Sequence, residues 1–248
     1  MIFRRFSIAV TLLIGFAFFS FVSFWFLAGS VQKTFQWEMV WSYRVVFWKG
    51  WVETLLIAMV TLLLSSLLGS LIVMARRSSF SWLRTMSLAL VEVIRGTPLL
   101  TQILFFFYVV AHGIGLDNRF LAGVFILSLF SSTYTAEIIR GGIEAIPLSQ
   151  WESAKILGFT RFQTYFYVIL PQVVRQLSPA LTGQLASLIK DSSLLSIIGI
   201  KEFTMAAQQV NAATYCTLES YFPLACGYLL LTLPLSIGSR YLEKKLAS

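Results

Sequence analysis

The sequence predicts an all-α polytopic membrane protein, a bundle of about six transmembrane helices. Three observations carry that expectation. Of the 248 residues, 57% are hydrophobic and only 12% are charged, about half the charge of an average soluble domain. Several apolar runs reach the ~20 residues a helix needs to cross a bilayer. The lysines and arginines flank those runs. The net charge of +8 therefore reads as the cationic bias of cytoplasmic loops. It does not read as a nucleic-acid footprint, which would cluster on one face.

Spans are expected at about 7–28, 51–75, 97–113, 120–139, 175–196 and 221–240. With both termini in the cytoplasm, the inner segments carry Arg4, Arg5, Arg76, Arg77, Arg84, Arg140, Lys155, Arg161, Arg175, Arg240, Lys244 and Lys245. The outer segments carry only Lys33, Arg44, Lys49, Arg119 and Lys201. The reverse orientation would invert that bias.

The chain opens Met-Ile-Phe-Arg-Arg and runs apolar to Leu27. A signal peptide has the same order but a shorter apolar core, ~7–15 residues, so a retained first span is expected. Trp37, Trp41, Tyr43, Phe47 and Trp48 suit the membrane–water boundary. Residues 1–49 thus read as an accessory transmembrane helix and an outer interfacial segment. Residues 50–245 form one helical domain. In its first span Thr54, Thr61, Ser65, Ser66, Gly69 and Ser70 are small enough for close helix packing.

Residues 80–113 are too long for one simple span. A helix at 81–94, a bend at Arg95-Gly96 and a new helix account for them, with Thr97 as N-cap and Pro98 at the first helical position. Glu92 and Arg95 are three apart and can pair on one face. Either the pair fixes the bend, or the two residues stand on a translocation path; both readings stay open. Span 120–139 ends in the polar run Ser131, Ser132, Thr133, Tyr134, Thr135 and Glu137. Glu137 and Arg140 are again three apart. Arg140 is expected to position the chain, and Glu137 is left open to the path.

Residues 141–172 lie between apolar segments, yet they are charged and punctuated like a soluble helical hairpin. Ser149 and Glu152 have capping-box spacing, and so do Thr160 and Gln163. Gly158 suits a helix C-cap. Pro171 stands where the second helix should stop or bend. Trp151, Ile156 and Leu157 would be exposed apolar residues, which usually mark a contact. This is a docking element that faces water.

Beyond Pro171, Lys190, Asp191, Ser192 and Ser193 bring a cation, a carboxylate and two hydroxyls to membrane depth. Such groups could bind a zwitterion. The alternative is a buried ion pair that shapes the bundle; the binding reading is favoured. Gly199 and the polar run Gln208, Gln209 and Asn211 read as a short outer gate before the last span.

No Gly-x-x-x-x-Gly-Lys-Ser/Thr loop is present, so the chain is not expected to bind ATP in the usual way. No nucleophile triad or carboxylate pair can be assembled, and no enzyme is expected. Cys216, Cys226 and the lone His112 have no metal-ligand spacing. No metal and no cofactor are expected on this chain. Energy must come from a partner or a gradient. A stand-alone secondary transporter of small polar solutes is the alternative, but such folds usually show internal repeats with paired broken helices, and no repeat is visible.

The hairpin resembles the EAA signature of permease subunits of bacterial ABC importers. Glu152-Ser153-Ala154, three residues, Gly158, nine residues, Val168, one residue and Leu170-Pro171 follow its spacing, with Ser153 for the usual alanine. Glu92 with Arg95-Gly96-Thr97-Pro98, then Glu137-Ile138-Ile139-Arg140-Gly141-Gly142-Ile143, then Lys190-Asp191-Ser192-Ser193-Leu194 resemble the polar amino acid permeases. The resemblance covers roughly 50–245. It implies a type I importer bundle in a bacterial inner membrane. It implies that Trp151, Glu152, Ser153, Ala154, Leu157 and Gly158 form a coupling helix seated in an ATPase groove. The implied partners are ATPase subunits holding ATP and Mg²⁺, an extracytoplasmic amino-acid-binding protein, and a second permease that is identical or related.

Overall fold

The structure, a computed structural model, describes residues 35–247 together with residues 20, 21 and 24. The first expected span, about 7–28, lies outside the described residues, as do Arg4, Arg5 and Lys33. A single turn, α1 (Trp37–Trp41), buries Val40 against Val210 and Cys216. After a turn, α2 (Arg44–Arg76) runs for 33 residues. The interfacial segment expected over 31–49 therefore ends early, because Phe47 and Trp48 already belong to α2. No proline interrupts the stretch from Arg44 to Trp51, and in lipid a helix satisfies its own backbone.

Next come α3 (Ser81–Gly96) and α4 (Leu99–Phe105), which continues as a π turn over Phe106–Ala111. Helix α5 (Arg119–Glu144) starts where the Asn118 side chain accepts from Leu121 N at 3.1 Å. Then follow α6 (Leu148–Ile156), α7 (Arg161–Gln163) and a π turn at Thr164–Ile169. Helix α8 (Leu170–Asp191) leads into a 3₁₀ turn at Ser192–Ile198, then α9 (Phe203–Thr214) and α10 (Thr217–Ala247). Pro171 was expected to stop or bend the second hairpin helix; instead it sits in the first turn of α8. A π register precedes it, and such a register tolerates the shifted bonding that a missing N–H forces.

Among the described residues, three helices are long and apolar enough to cross a membrane: Arg44–Arg76, Arg119–Glu144 and Thr217–Leu246. The pair Ser81–Gly96 and Leu99–Ala111, bent by 106°, makes a fourth if it is one span. The expected count of about six is thus not reached by length and composition among the described residues. Helix α8 has 22 residues but carries Gln172, Arg175, Gln176, Thr182, Gln184 and Lys190, too polar to qualify.

The described residues from Met39 on form one unit. Its centre is the contact of α2 with α5. Thr54, Ala58, Thr61, Ser65 and Gly69 make a buried stripe on α2 at helical spacing. A Cβ on Gly69 would lie 3.0 Å from both Ala136 N and Ser132 O, so only glycine lets the two backbones approach. Ser65 donates to Leu62 O at 3.1 Å, Ser128 to Val124 O at 2.6 Å and Ser132 to Leu129 O at 2.7 Å. Within the polar run, Ser132 and Thr133 thus spend their hydroxyls on their own helix, whereas Ser131 accepts from Gln184 Nε2 of α8 at 2.9 Å. Ile57, Ile103, Leu127, Leu188, Ile189 and Leu195 fill the core alongside.

Candidate functional site

Helix α6 begins after Pro147, not after Ser149. The expected Ser149–Glu152 capping box is therefore not formed. Ile146 is buried with Ile169, Val173 and Leu177, and this anchor starts the helix two residues earlier. The other end is as expected. Gly158 has φ +76°, Phe159 N donates to Ala154 O at 3.1 Å, and Gly158 N donates to Lys155 O at 3.1 Å. This is a Schellman closure. Thr160 and Gln163 form the reciprocal capping box, at 2.9 and 3.3 Å.

The hairpin has a packed face and a bare one. Trp151, expected to be exposed, is half-buried edge-to-face on Tyr165 with centroids 5.1 Å apart. Ala154 is 2% exposed. These two hold the helix to its own chain. Leu148, Ile156, Leu157 and Phe162 are each more than 70% exposed: 78, 85, 72 and 72%. Glu152 and Ser153 are exposed beside them. The result is a rigid helix with an apolar outer edge.

The bend between α3 and α4 is held by a residue that the sequence did not point to. Gln102 Nε2 donates to Ile94 O at 2.6 Å, Thr97 Oγ1 at 2.8 Å and Thr97 O at 3.1 Å. Thr97 is not an N-cap; its hydroxyl donates back to Val93 O at 3.0 Å, and Pro98 stands at the start of α4. Glu92 and Arg95 do not form the ion pair considered for the bend. The Arg95 guanidinium instead lies 5.2 Å over the Tyr134 ring.

Glu137 and Arg140 do pair, with Arg140 Nη2 at 2.8 Å from Glu137 Oε2. Arg76, from the end of α2, joins the same carboxylate. Arg140 also reaches Glu144 at 2.5 Å. The cluster ties α2 to the end of α5, so Glu137 is committed to architecture.

Lys190 ends α8 exposed, Asp191 is half-buried, and neither forms an ion pair among the described residues. The alternative of a buried Lys190–Asp191 pair is therefore not realised. Ser192, fully buried, donates to Ile189 O at 2.8 Å, and the half-buried Ser193 donates to Lys190 O at 2.6 Å.

Glu202 also went unmarked. It is fully buried and caps α9, accepting from Thr204 N and Met205 N at 2.8 Å and from the Tyr228 hydroxyl at 3.0 Å. Phe203 N donates to Thr54 Oγ1 at 3.1 Å. The one local signal was an acidic side chain immediately ahead of a helical run.

A family model described as the binding-protein-dependent transport system inner membrane component matches residues 65–248. The chain belongs to this family. It is 36% identical over 202 residues to the probable glutamine ABC transporter permease protein GlnM of Bacillus subtilis (strain 168), covering 81% of this chain and 93% of the relative. It is 34% identical over 216 residues to the glutamine transport system permease protein GlnP of Escherichia coli (strain K12), covering 86% and 98%. The crystal structure of an amino acid ABC transporter with histidines matches at TM-score 0.78 and 33% identity, over 86% of this chain and all of that one, 100%. The inward-facing MetNI methionine ABC transporter matches at TM-score 0.69 and 18% identity, over 82% and 97%, and shares the fold alone. The expected type I importer permease bundle is the one found, and family membership sets the secondary-transporter alternative aside.

Proposed function

We propose that this chain is the membrane-spanning subunit of an ATP-driven importer of polar amino acids, with glutamine the first substrate to test. The observation that carries it is the hairpin: a capped helix, packed from behind by Trp151 and Ala154, with Leu148, Ile156 and Leu157 bare in front. Such an edge serves to be gripped. The permease names of its relatives point to the same class of cargo.

On this reading the chain lies in a bacterial inner membrane with both termini in the cytoplasm. Two ATPase subunits, which hold ATP and Mg²⁺, grip two hairpins, and a second permease, identical or related, completes the path. Closure of the ATPase pair pushes the hairpins and rocks the bundles outward to receive cargo from an extracytoplasmic binding protein. Gly158 and the Thr160–Gln163 box keep the helix from melting under that load. Lys190 meets the substrate carboxylate, Asp191 its ammonium group, and Ser193 lines the path, while the fully buried Ser192 stays off it. Two charged residues at membrane depth with no ion-pair partner among the described residues fit that work. Glu137 stays with Arg76 and Arg140.

The test is reconstitution. Proteoliposomes holding the permease, its ATPase and ATP should take up labelled glutamine only with the binding protein outside. Uptake driven by an ion gradient with no ATPase present would overturn the proposal.

A further inference from the structure

At the hairpin end of the bundle lies a groove of about 420 Å³. Arg76 at the end of α2, Arg77 just beyond it, Arg84 from α3, and Arg140 with Glu144 from α5 form its polar wall. Val73 and Leu88 supply an apolar side. The charges do not balance. Glu137 is taken by Arg76 and Arg140, and Glu144 by Arg140. Arg77 and Arg84 have no carboxylate within 4.0 Å among the described residues. The nearest polar partner of Arg77 is the Tyr165 hydroxyl, which accepts from its Nη1 at 3.4 Å. Both arginines are exposed.

We propose that this groove is a binding site for the headgroup phosphate of an anionic phospholipid. Two exposed guanidiniums with no carboxylate partner among the described residues line the same groove as two that are committed, and their free N–H groups are available to an anion. Guanidinium forks match phosphate oxygens bidentately. The shared chemistry of candidate ligands is a phosphate ester, and the apolar side decides for the lipid. One turn along α3 from Arg84, Leu88 is 42% exposed. An acyl chain can lie along the exposed Leu88 while its headgroup meets the arginines. Basic pockets between transmembrane helices at the cytoplasmic boundary bind acidic headgroups in this way. The site is distinct from the hairpin's outer edge, and it needs only that the chain resides in a membrane. Arg77 also touches Tyr165, on which Trp151 packs, so a headgroup here would sit directly behind the docking helix.

The experiment uses the complete transporter, purified with its ATPase in detergent and titrated with dioleoyl phosphatidylglycerol while bound lipid is counted by native mass spectrometry. Tighter retention of phosphatidylglycerol than of phosphatidylcholine is expected. The double variant Arg77→Gln, Arg84→Gln should weaken it on the order of tenfold, for two lost surface charges. A control pair at the far end of α2, Arg44→Gln and Lys49→Gln, should bind as wild type does. Equal retention of the two lipids by wild type would overturn the proposal, as would equal loss in the control pair. Displacement of the lipid by millimolar inorganic phosphate would make the groove a soluble-anion site instead. Full lipid retention by the double variant with loss of co-purified ATPase would make it a protein contact. The headgroup comparison and the phosphate competition use wild-type protein only, so they stand even if the variant misfolds. Lipid retention is read without uptake, so a failure here is separable from a failure of the importer reading.

Discussion

Replacing Gly158 by valine should disconnect the hairpin from its partner while leaving the bundle in the membrane. At φ +76° a side chain pays for the left-handed region, about 1–2 kcal/mol for an ordinary residue and more for a β-branched one. No clash adds to this, because a Cβ built on Gly158 meets nothing within 4 Å. The chain can relieve the strain only by giving up the bonds from Phe159 N to Ala154 O and from Gly158 N to Lys155 O, which contribute about 0.5–1.5 kcal/mol each. By either route the loss is ~1–3 kcal/mol, local to a nine-residue helix that has little stability of its own. A change of that size shifts the ordered population by about 5- to 150-fold. The assay is binding-protein-stimulated ATP hydrolysis and glutamine uptake in proteoliposomes, with membrane abundance measured alongside. Gly158→Val should lose most of both activities at normal abundance. Gly158→Asn should keep most of them, since asparagine visits the left-handed region at low cost. Wild-type uptake by the valine variant, or equal impairment of the two variants, would refute the reasoning.

Gln102→Leu should lower the melting temperature in detergent by roughly 2–10 °C, for the ~1–3 kcal/mol of carbonyls left unpaired at the bend; an unchanged value would remove Gln102 as the clip. Glu137→Gln should cost about 1–3 kcal/mol by stranding Arg76, whose side chain is 15% exposed. Glu144→Gln, at 53% exposed, should stay within ~0.5 kcal/mol; equal losses in thermal unfolding would reject the clamp. Asp191→Asn should reduce uptake and alter the preference between basic and neutral amino acids, and the double variant Lys190→Met, Asp191→Leu should not transport; full uptake with unchanged preference would leave the pair as architecture. Single cysteines in a background without Cys216 and Cys226 should be labelled from outside at position 117 and not at 150; the reverse pattern would reject the orientation.

Much of the hairpin was legible in advance because its determinants are local. The left-handed Gly158 and the Thr160–Gln163 box each depend on residues within a few positions of one another, and backbone energy at that range is written in residue type. Ser149 failed as a cap for a related reason. Two starts were available two residues apart, and burial of Ile146 against Ile169 and Val173 chose between them. A capping pattern cannot weigh that contact. The break expected at Arg95-Gly96 falls just after them, at Thr97-Pro98, and its clip was not foreseen, since Gln102 looks like any polar residue in a span until the helix turns back over it.

The sequence by itself determined that the chain is a helical membrane protein, resembled this permease family in its motifs, and marked where the helix over Leu148–Ile156 ends. Hydropathy, spacing and caps carry that information, and each acts over one or two helical turns. Only the tertiary structure decided which polar groups meet. Arg76 reaches Glu137 across 61 positions, Glu202 finds Tyr228 across 26, and Thr54 takes Phe203 N across 149. Arg77 and Arg84 line one groove with no carboxylate partner among the described residues. Those meetings depend on how helices rotate and cross. Rotation and crossing are set by the summed packing of small residues such as Gly69 against Ser132 and Ala136, an interaction between distant segments that no local pattern encodes.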